Sequence, residues 1–189
     1  MTARAVLVVC ADGSEDIELA CITDTLRRAK ITVTLATTNA TTKVTLARGL
    51  KVEADALLED VKDATFDAVV LPGGMPGATN LAQSETLKAV LLTHSGAGAV
   101  IGAICASPAV VLEAHGLIGS RRAVAYPAFT HKLQNAVPHA RVCVDGTLVT
   151  SAGPGTSIEF ALAIVEQLTT KALADEIAGQ MLVTRESTE

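Results

Sequence analysis

Val100–Ala114 reads VIGAICASPAVVLEA. Its first part is small and β-branched, as a strand buried on both faces would be, and from Ala106 to His115 the pattern is helical. Cys105 falls at the junction. A strand that passes straight into a helix lifts the residue between them out of the sheet at its carboxyl edge, and the first amides of the helix point the same way. Such a turn needs small neighbours, which Ala103, Ala106 and Ser107 supply. The positive end of the helix favours thiolate over thiol. On the pattern alone a buried structural cysteine fits the position as well, because Cys is among the most buried residue types. Cys10, Cys21 and Cys143 take that structural reading, with Cys10 at a strand end where some oxidation is conceivable.

The alternation of apolar strand and helix extends in both directions. RAVLVVC (Arg4–Cys10) predicts a buried strand. Asp12-Gly13-Ser14 predicts a turn in which Asp12 or Ser14 caps a helix running to about Ala29, with Glu15, Asp16 and Glu18 loading its first turn. ITVTLAT (Ile31–Thr37) and FDAVVLPGG (Phe66–Gly74) predict further strands, the second ending in a glycine-rich turn. Thr41–Glu53, centred on Gly49, predicts a short β excursion; ADALLEDV predicts a short helix; Ser84–His94 predicts a helix capped by Ser84. RRAVAYP predicts more strand, and ARVCVDGTLVTSAG a hairpin turning at Asp145-Gly146. Pro154 suits the first position of a long helix through TSIEFALAIVEQL, and KALADEIAGQM forms a last helix. Together these elements predict an α/β protein with a mostly parallel sheet covered on both faces, in one domain over residues 1–189. Sites in such folds lie outside the carboxyl ends of the strands. That singles out the loops after Cys10, at LPGGMPG and at Cys105.

Hydrophobic residues make up 49% of the chain and aromatics 2%, so the core is aliphatic. The net charge of −5 comes without any basic block, which argues against nucleic acid as a partner. No stretch reaches the roughly 18 apolar residues of a membrane span, and MTARAVLVVC lacks a cleavage-site pattern. The cysteines form no CxxC pair, which argues against a zinc or thioredoxin-like site; with no secretory signal, four reduced thiols in a reducing, cytoplasmic compartment are expected.

Four motifs occur in order and at family spacing: DGSEDIE, VVLPGGMPGATNL, AICASP and SAGPGTSIEFALAIVEQL. Together they resemble the ThiJ/PfpI superfamily in its DJ-one branch, over about residues 4 to 182. The resemblance implies a flavodoxin-like doubly wound fold and a homodimer formed partly through the first helix, near Cys21 and Arg28. It implies Cys105 as the reactive thiol, with Glu18 reaching the sulfur in its protonated form. A carboxyl donating to thiolate lowers the thiol's pKa, while burial and the adjacent charge raise its own, so the two would titrate as a coupled pair. In LPGGMPG, Gly73 and Gly74 let backbone amides approach a reacting atom closely. The N–H groups of Gly74 and Ala106 are expected to form an oxyanion hole. Glu15 is expected to line the pocket, and Arg28 and Arg48 to stand near the interface and the pocket mouth.

One position departs from the family pattern. Many relatives carry a histidine near the cysteine, in the segment matching VAYPAF, where this chain has Tyr126. His94, His115, His131 and His139 stand elsewhere, His94 and His115 reading as helix-end or surface groups. A cysteine hydrolase needs a base oriented on its nucleophile. Tyrosine, with a reference pKa of about 10, is too weak a base at neutral pH. Peptidase and amidotransferase chemistry therefore recede, and Tyr126 is left to bond a substrate oxygen or wall the pocket.

Two functions remain, as the resemblance implies them. In the first, Cys105 adds to the aldehyde of methylglyoxal or glyoxal, or to an early adduct on a glycated protein. Glu18 shuttles the proton in the rearrangement to a 2-hydroxy acid, with neither metal nor cofactor. In the second, Cys105 is oxidised to sulfinate and the protein acts as a redox sensor or stress chaperone.

Overall fold

The computed structural model describes residues 4–185. Seven strands form one sheet: β1 (Ala5–Cys10), β2 (Thr32–Thr37), β5 (Ala56–Leu57), β6 (Ala68–Leu71), β7 (Val100–Ile104), β8 (Val142–Asp145) and β9 (Leu148–Ser151). Their order is β5-β2-β1-β6-β7-β9-β8. Every neighbouring pair is parallel except the β8–β9 hairpin. β3 (Lys43–Thr45) and β4 (Lys51–Glu53) make a separate antiparallel hairpin, as Gly49 leads one to expect. The helices are α1 (Asp16–Arg28), α2 (Leu58–Val61), α3 (Gly77–Ala82), α4 (Glu85–Gly96), α5 (Ser157–Leu168) and α6 (Lys171–Gln180). α1, α5 and α6 pack together, and α2, α3 and α4 form a second group, giving the helical layers of a flavodoxin-like fold.

The central strands are apolar at every position because both faces are covered; Val6 to Val9 and Ala68 to Leu71 are all fully buried. α5 docks on β7 where Gly102 leaves room. A Cβ there would lie 2.9 Å from Ile164 Cδ1 and 3.2 Å from Phe160 Cζ. Among the described residues no helix is long and apolar enough to cross a membrane.

Several local expectations are corrected. Neither Asp12 nor Ser14 caps α1: Asp12 Oδ1 accepts from the Thr45 amide and Ser14 Oγ from the Ala11 amide, so both stabilise the turn instead. ADALLEDV begins as an edge strand, β5, before turning into α2. RRAVAYP forms no strand beyond a single bridge between Ala123 and Ala136. Its amides go elsewhere, Val124 to Thr150 Oγ1 and Tyr126 to the Cys105 carbonyl, and Pro127 opens a short 3-10 helix (Pro127–Lys132). Pro154 likewise opens a 3-10 turn, with α5 starting at Ser157. The helix after Cys105 is wound wide, as a π-helical segment over Pro108–Glu113. His94 is neither a cap nor a surface group. It is buried, with Nδ1 against the Val90 carbonyl and Nε2 accepting from the Phe66 amide.

Candidate active site

β1, β6 and β7 lie side by side, so their carboxyl-end loops converge. Cys105 directly follows β7 with φ 64°, in the left-handed region that costs a non-glycine residue about 1–3 kcal/mol. Backbone bonds hold it there: its N–H donates to the Ser151 carbonyl at 2.9 Å, and its own carbonyl accepts from Tyr126 N–H at 2.8 Å. The elbow foreseen at the strand–helix junction is thus present, and it is tight. A Cβ on Gly73 would sit 2.6 Å from Cys105 Cβ and 2.9 Å from the Ala106 nitrogen, so only glycine fits beside the elbow. Cys105 as a whole is 9% exposed.

Glu18 projects from the first turn of α1 and is wholly buried. Its Oε2 accepts from Gly73 N–H at 2.6 Å. Its Oε1 is sealed from solvent without a well-aligned donor, and the carboxyl interacts with the Cys105 thiol. Burial pushes the Glu18 pKa up to about 7, against the pull of the Gly73 amide. Burial also pushes the Cys105 thiol up to about 12, with charge on Glu18 the next cause. The amides of Gly74 and Ala106 bond the sulfur and pull the other way. This overturns the expectation of a simply acidified cysteine: the helix end and amides are outweighed by desolvation. Sulfur and carboxyl instead compete for one proton.

The amides reach the sulfur because the loops after β1 and β6 press backbone on backbone. A Cβ on Gly74 (φ 87°) would lie 2.5 Å from the Glu15 nitrogen and 2.5 Å from the Gly13 carbonyl oxygen, and one on Gly77 only 2.3 Å from the Ser14 nitrogen. Glu15 N–H donates to the Gly73 carbonyl, which fastens α1 to the same loop. The Glu15 side chain is buried, and Arg48 Nε stands 3.7 Å from its Oε2 with the rest of the guanidinium in solvent. Arg48 therefore borders the site through Glu15. Arg28 does not: it lies about 15 Å along α1 from Glu18 at 1.5 Å per residue, paired with Asp24. Tyr126 is brought close by its backbone, and its ring lies over Gly153, 3.2 Å from where a Cβ would stand.

Besides burial, the groups that act on the Cys105 sulfur among the described residues are the Glu18 carboxyl and the amides of Gly74 and Ala106. Cys10 is fully buried and burial pushes it up to about 12, so the conceivable oxidation there finds no support. Cys143 is buried as well, and the half-buried Cys21 is raised by burial. Among the described residues no three of His, Cys, Asp or Glu converge to hold a metal ion.

Two groups of residues escape a reading of the sequence. Ser107 is fully buried and its Oγ donates to the Pro72 carbonyl at 2.6 Å. Ser151 Oγ and Thr156 Oγ1 bond each other at 2.6 Å behind the elbow. The Ser-Pro pair after the cysteine and the GPGT turn were the only local signals for them.

The chain matches the DJ-1/PfpI family model over residues 4–167. It is 48% identical to Protein DJ-1 homolog B of Arabidopsis thaliana over 86% of this chain and 37% of that protein. It spans less than half the length of that protein and of Protein DJ-1 homolog A from the same plant. A relative from Caenorhabditis elegans, 36% identical over 87% of this chain and 88% of its own length, is the glutathione-independent glyoxalase DJR-1.2. The structure of oxidized DJ-1 from Toxoplasma gondii superposes with a TM-score of 0.94 at 46% identity, covering 96% of this chain and all of that one. The family match over most of its length, the identity to curated relatives and the structural likeness show that the chain belongs to the DJ-1/PfpI family.

Proposed function

We propose that the protein is a cofactor-independent glyoxalase that converts small 2-oxoaldehydes such as methylglyoxal and glyoxal to 2-hydroxy acids. The observation that carries this is a carboxyl of pKa about 7 buried against the one cysteine on the elbow. Glu18 takes the thiol proton as sulfur adds to the aldehyde carbon. The C=O π bond breaks and the new alkoxide is held by the Gly74 and Ala106 amides. Glu18 returns its proton to that oxygen, then removes the hydrogen from the former aldehyde carbon. The electron pair passes through an enediol, and protonation of the neighbouring carbon leaves a thioester. Water then splits the thioester, releasing the 2-hydroxy acid and restoring the thiol. The aldehyde carbon is oxidised and the ketone carbon reduced within one molecule, so no outside redox partner is required. Arg48 and Glu15 border the mouth, and Tyr126 walls it. Early adducts on glycated proteins present the same hemithioacetal chemistry to the same thiol.

The test is production of lactate from methylglyoxal. Cys105→Ala should abolish it, and Glu18→Gln should lower turnover by about 10²–10⁴-fold, the usual worth of a positioned acid–base group. Lactate formation that survives in Cys105→Ala would refute the proposal. Redox sensing is supported by one feature: the amides on the sulfur and a proton-bearing carboxyl suit sulfinate oxygens equally well. Peroxide treatment giving a clean sulfinate on Cys105, in a protein that makes no lactate, would favour it. We also propose a homodimer, on the support of half-exposed Ile17 and Leu50, which flank the point where Asp16 bonds the β3–β4 turn; solution mass measures it.

A further inference from the structure

Ser107 stands two residues beyond the nucleophile, has no solvent exposure, and spends its hydroxyl hydrogen on the Pro72 carbonyl oxygen. That oxygen belongs to the peptide unit joining Pro72 to Gly73. The N–H of the same unit is the donor to Glu18 Oε2. In a planar trans peptide the oxygen and the hydrogen point in opposite directions, so fixing one aims the other. A carbonyl that accepts a hydrogen bond also polarises its peptide, making the N–H a stronger donor. We infer that Ser107 is a positioning residue: its hydroxyl clamps the Pro72–Gly73 peptide and thereby aims the Gly73 amide at the Glu18 carboxylate. The inference rests on Glu18 and Cys105 being the reacting pair.

The groups facing the Glu18 carboxyl are the Gly73 amide, the Cys105 thiol and the Glu15 carboxyl, with Cys21 beside it on its own helix and Arg48 beyond Glu15. Of these the Gly73 amide is the principal one favouring the charged form of Glu18. Among the described residues the Ser107 hydroxyl bonds the Pro72 carbonyl and neither Glu18 nor Cys105, so its influence passes through that amide.

The experiment is the pH dependence of Cys105 alkylation by iodoacetamide, followed by intact mass, in wild type, Ser107→Ala, Glu18→Gln and the double variant. Ser107→Ala should move the midpoint upward by about half a unit to one unit, the size of a weakened hydrogen bond to a charged group. In the Glu18→Gln background the same change should leave the profile in place. A folded Ser107→Ala protein with the wild-type midpoint overturns the inference, as does an equal shift in the Glu18→Gln background. Ser107→Gly removes the same hydroxyl and repeats the test if the alanine protein does not fold. The readout needs no turnover, so a protein that makes no lactate yet shows the shift defeats the glyoxalase reading and leaves this one standing.

Discussion

At Cys105 a left-handed backbone, a buried thiol and a neighbouring carboxylate meet in one residue. Below about pH 7 both Cys105 and Glu18 hold protons; above it the pair keeps one, which resides on oxygen or on sulfur. The Gly74 and Ala106 amides stabilise the form with charge on sulfur. Alkylation of Cys105 should therefore rise with pH around a midpoint near the Glu18 value of about 7, below the 9.0 of an ordinary thiol. Glu18→Gln should push that midpoint above 8 and slow the reaction at pH 7 by about tenfold or more. A wild-type midpoint above 8 in stopped-time alkylation would remove Glu18 from its assigned role. The place of Cys105 was legible because a strand ran into a helix with no loop between. The sign of its pKa shift was not, since helix-end charge is local and desolvation depends on what the rest of the chain lays over the sulfur. Glu18 looked like any first-turn carboxylate, and only the resemblance set it apart from Asp16.

Elements rather than single groups bring the site together. α1 starts where the loop after β1 meets the loop after β6, and the two approach so closely that Gly77 has no room for a methyl group. Gly77→Ala should cost about 1–3 kcal/mol in urea unfolding, and the loops, forced apart, should carry the Gly74 amide away from the sulfur and slow alkylation in the protein that still folds. A variant with unchanged unfolding midpoint would show that the loops yield freely. The central strands were readable because parallel strands covered on both faces are continuously apolar, as in AVLVVC and AVVL. RRAVAYP carried the same pattern and misled, because its amides are claimed by Thr150 and Cys105 from distant parts of the chain. The wide π winding after Cys105 had no sequence signature beyond Pro108, which removes one amide from the first turn.

For the whole molecule, the Glu18 shift is a statement about stability. Its folded value of about 7 lies above the ordinary 4.5, so the folded state binds this proton more tightly than the unfolded one. The contribution is complete below about pH 4.5, falls away as pH rises toward 7, and levels off above. The loss amounts to ~3 kcal/mol from the two values. Glu18→Gln keeps an acceptor for the Gly73 amide and has nothing to ionise. It should melt above wild type at pH 8, and the gap should close near pH 4. Equal melting temperatures of the two proteins at pH 8 would contradict this. A larger consequence follows from the loops that close on Gly13, Gly74 and Gly77. In the strand order β5-β2-β1-β6-β7-β9-β8 the chain changes direction between β1 and β6, the crevice where doubly wound sheets seat nucleotide phosphates. Here the protein's own main chain, pressed together at Gly13, Gly74 and Gly77, fills that berth, and the candidate site lies one strand over, at the sulfur that follows β7.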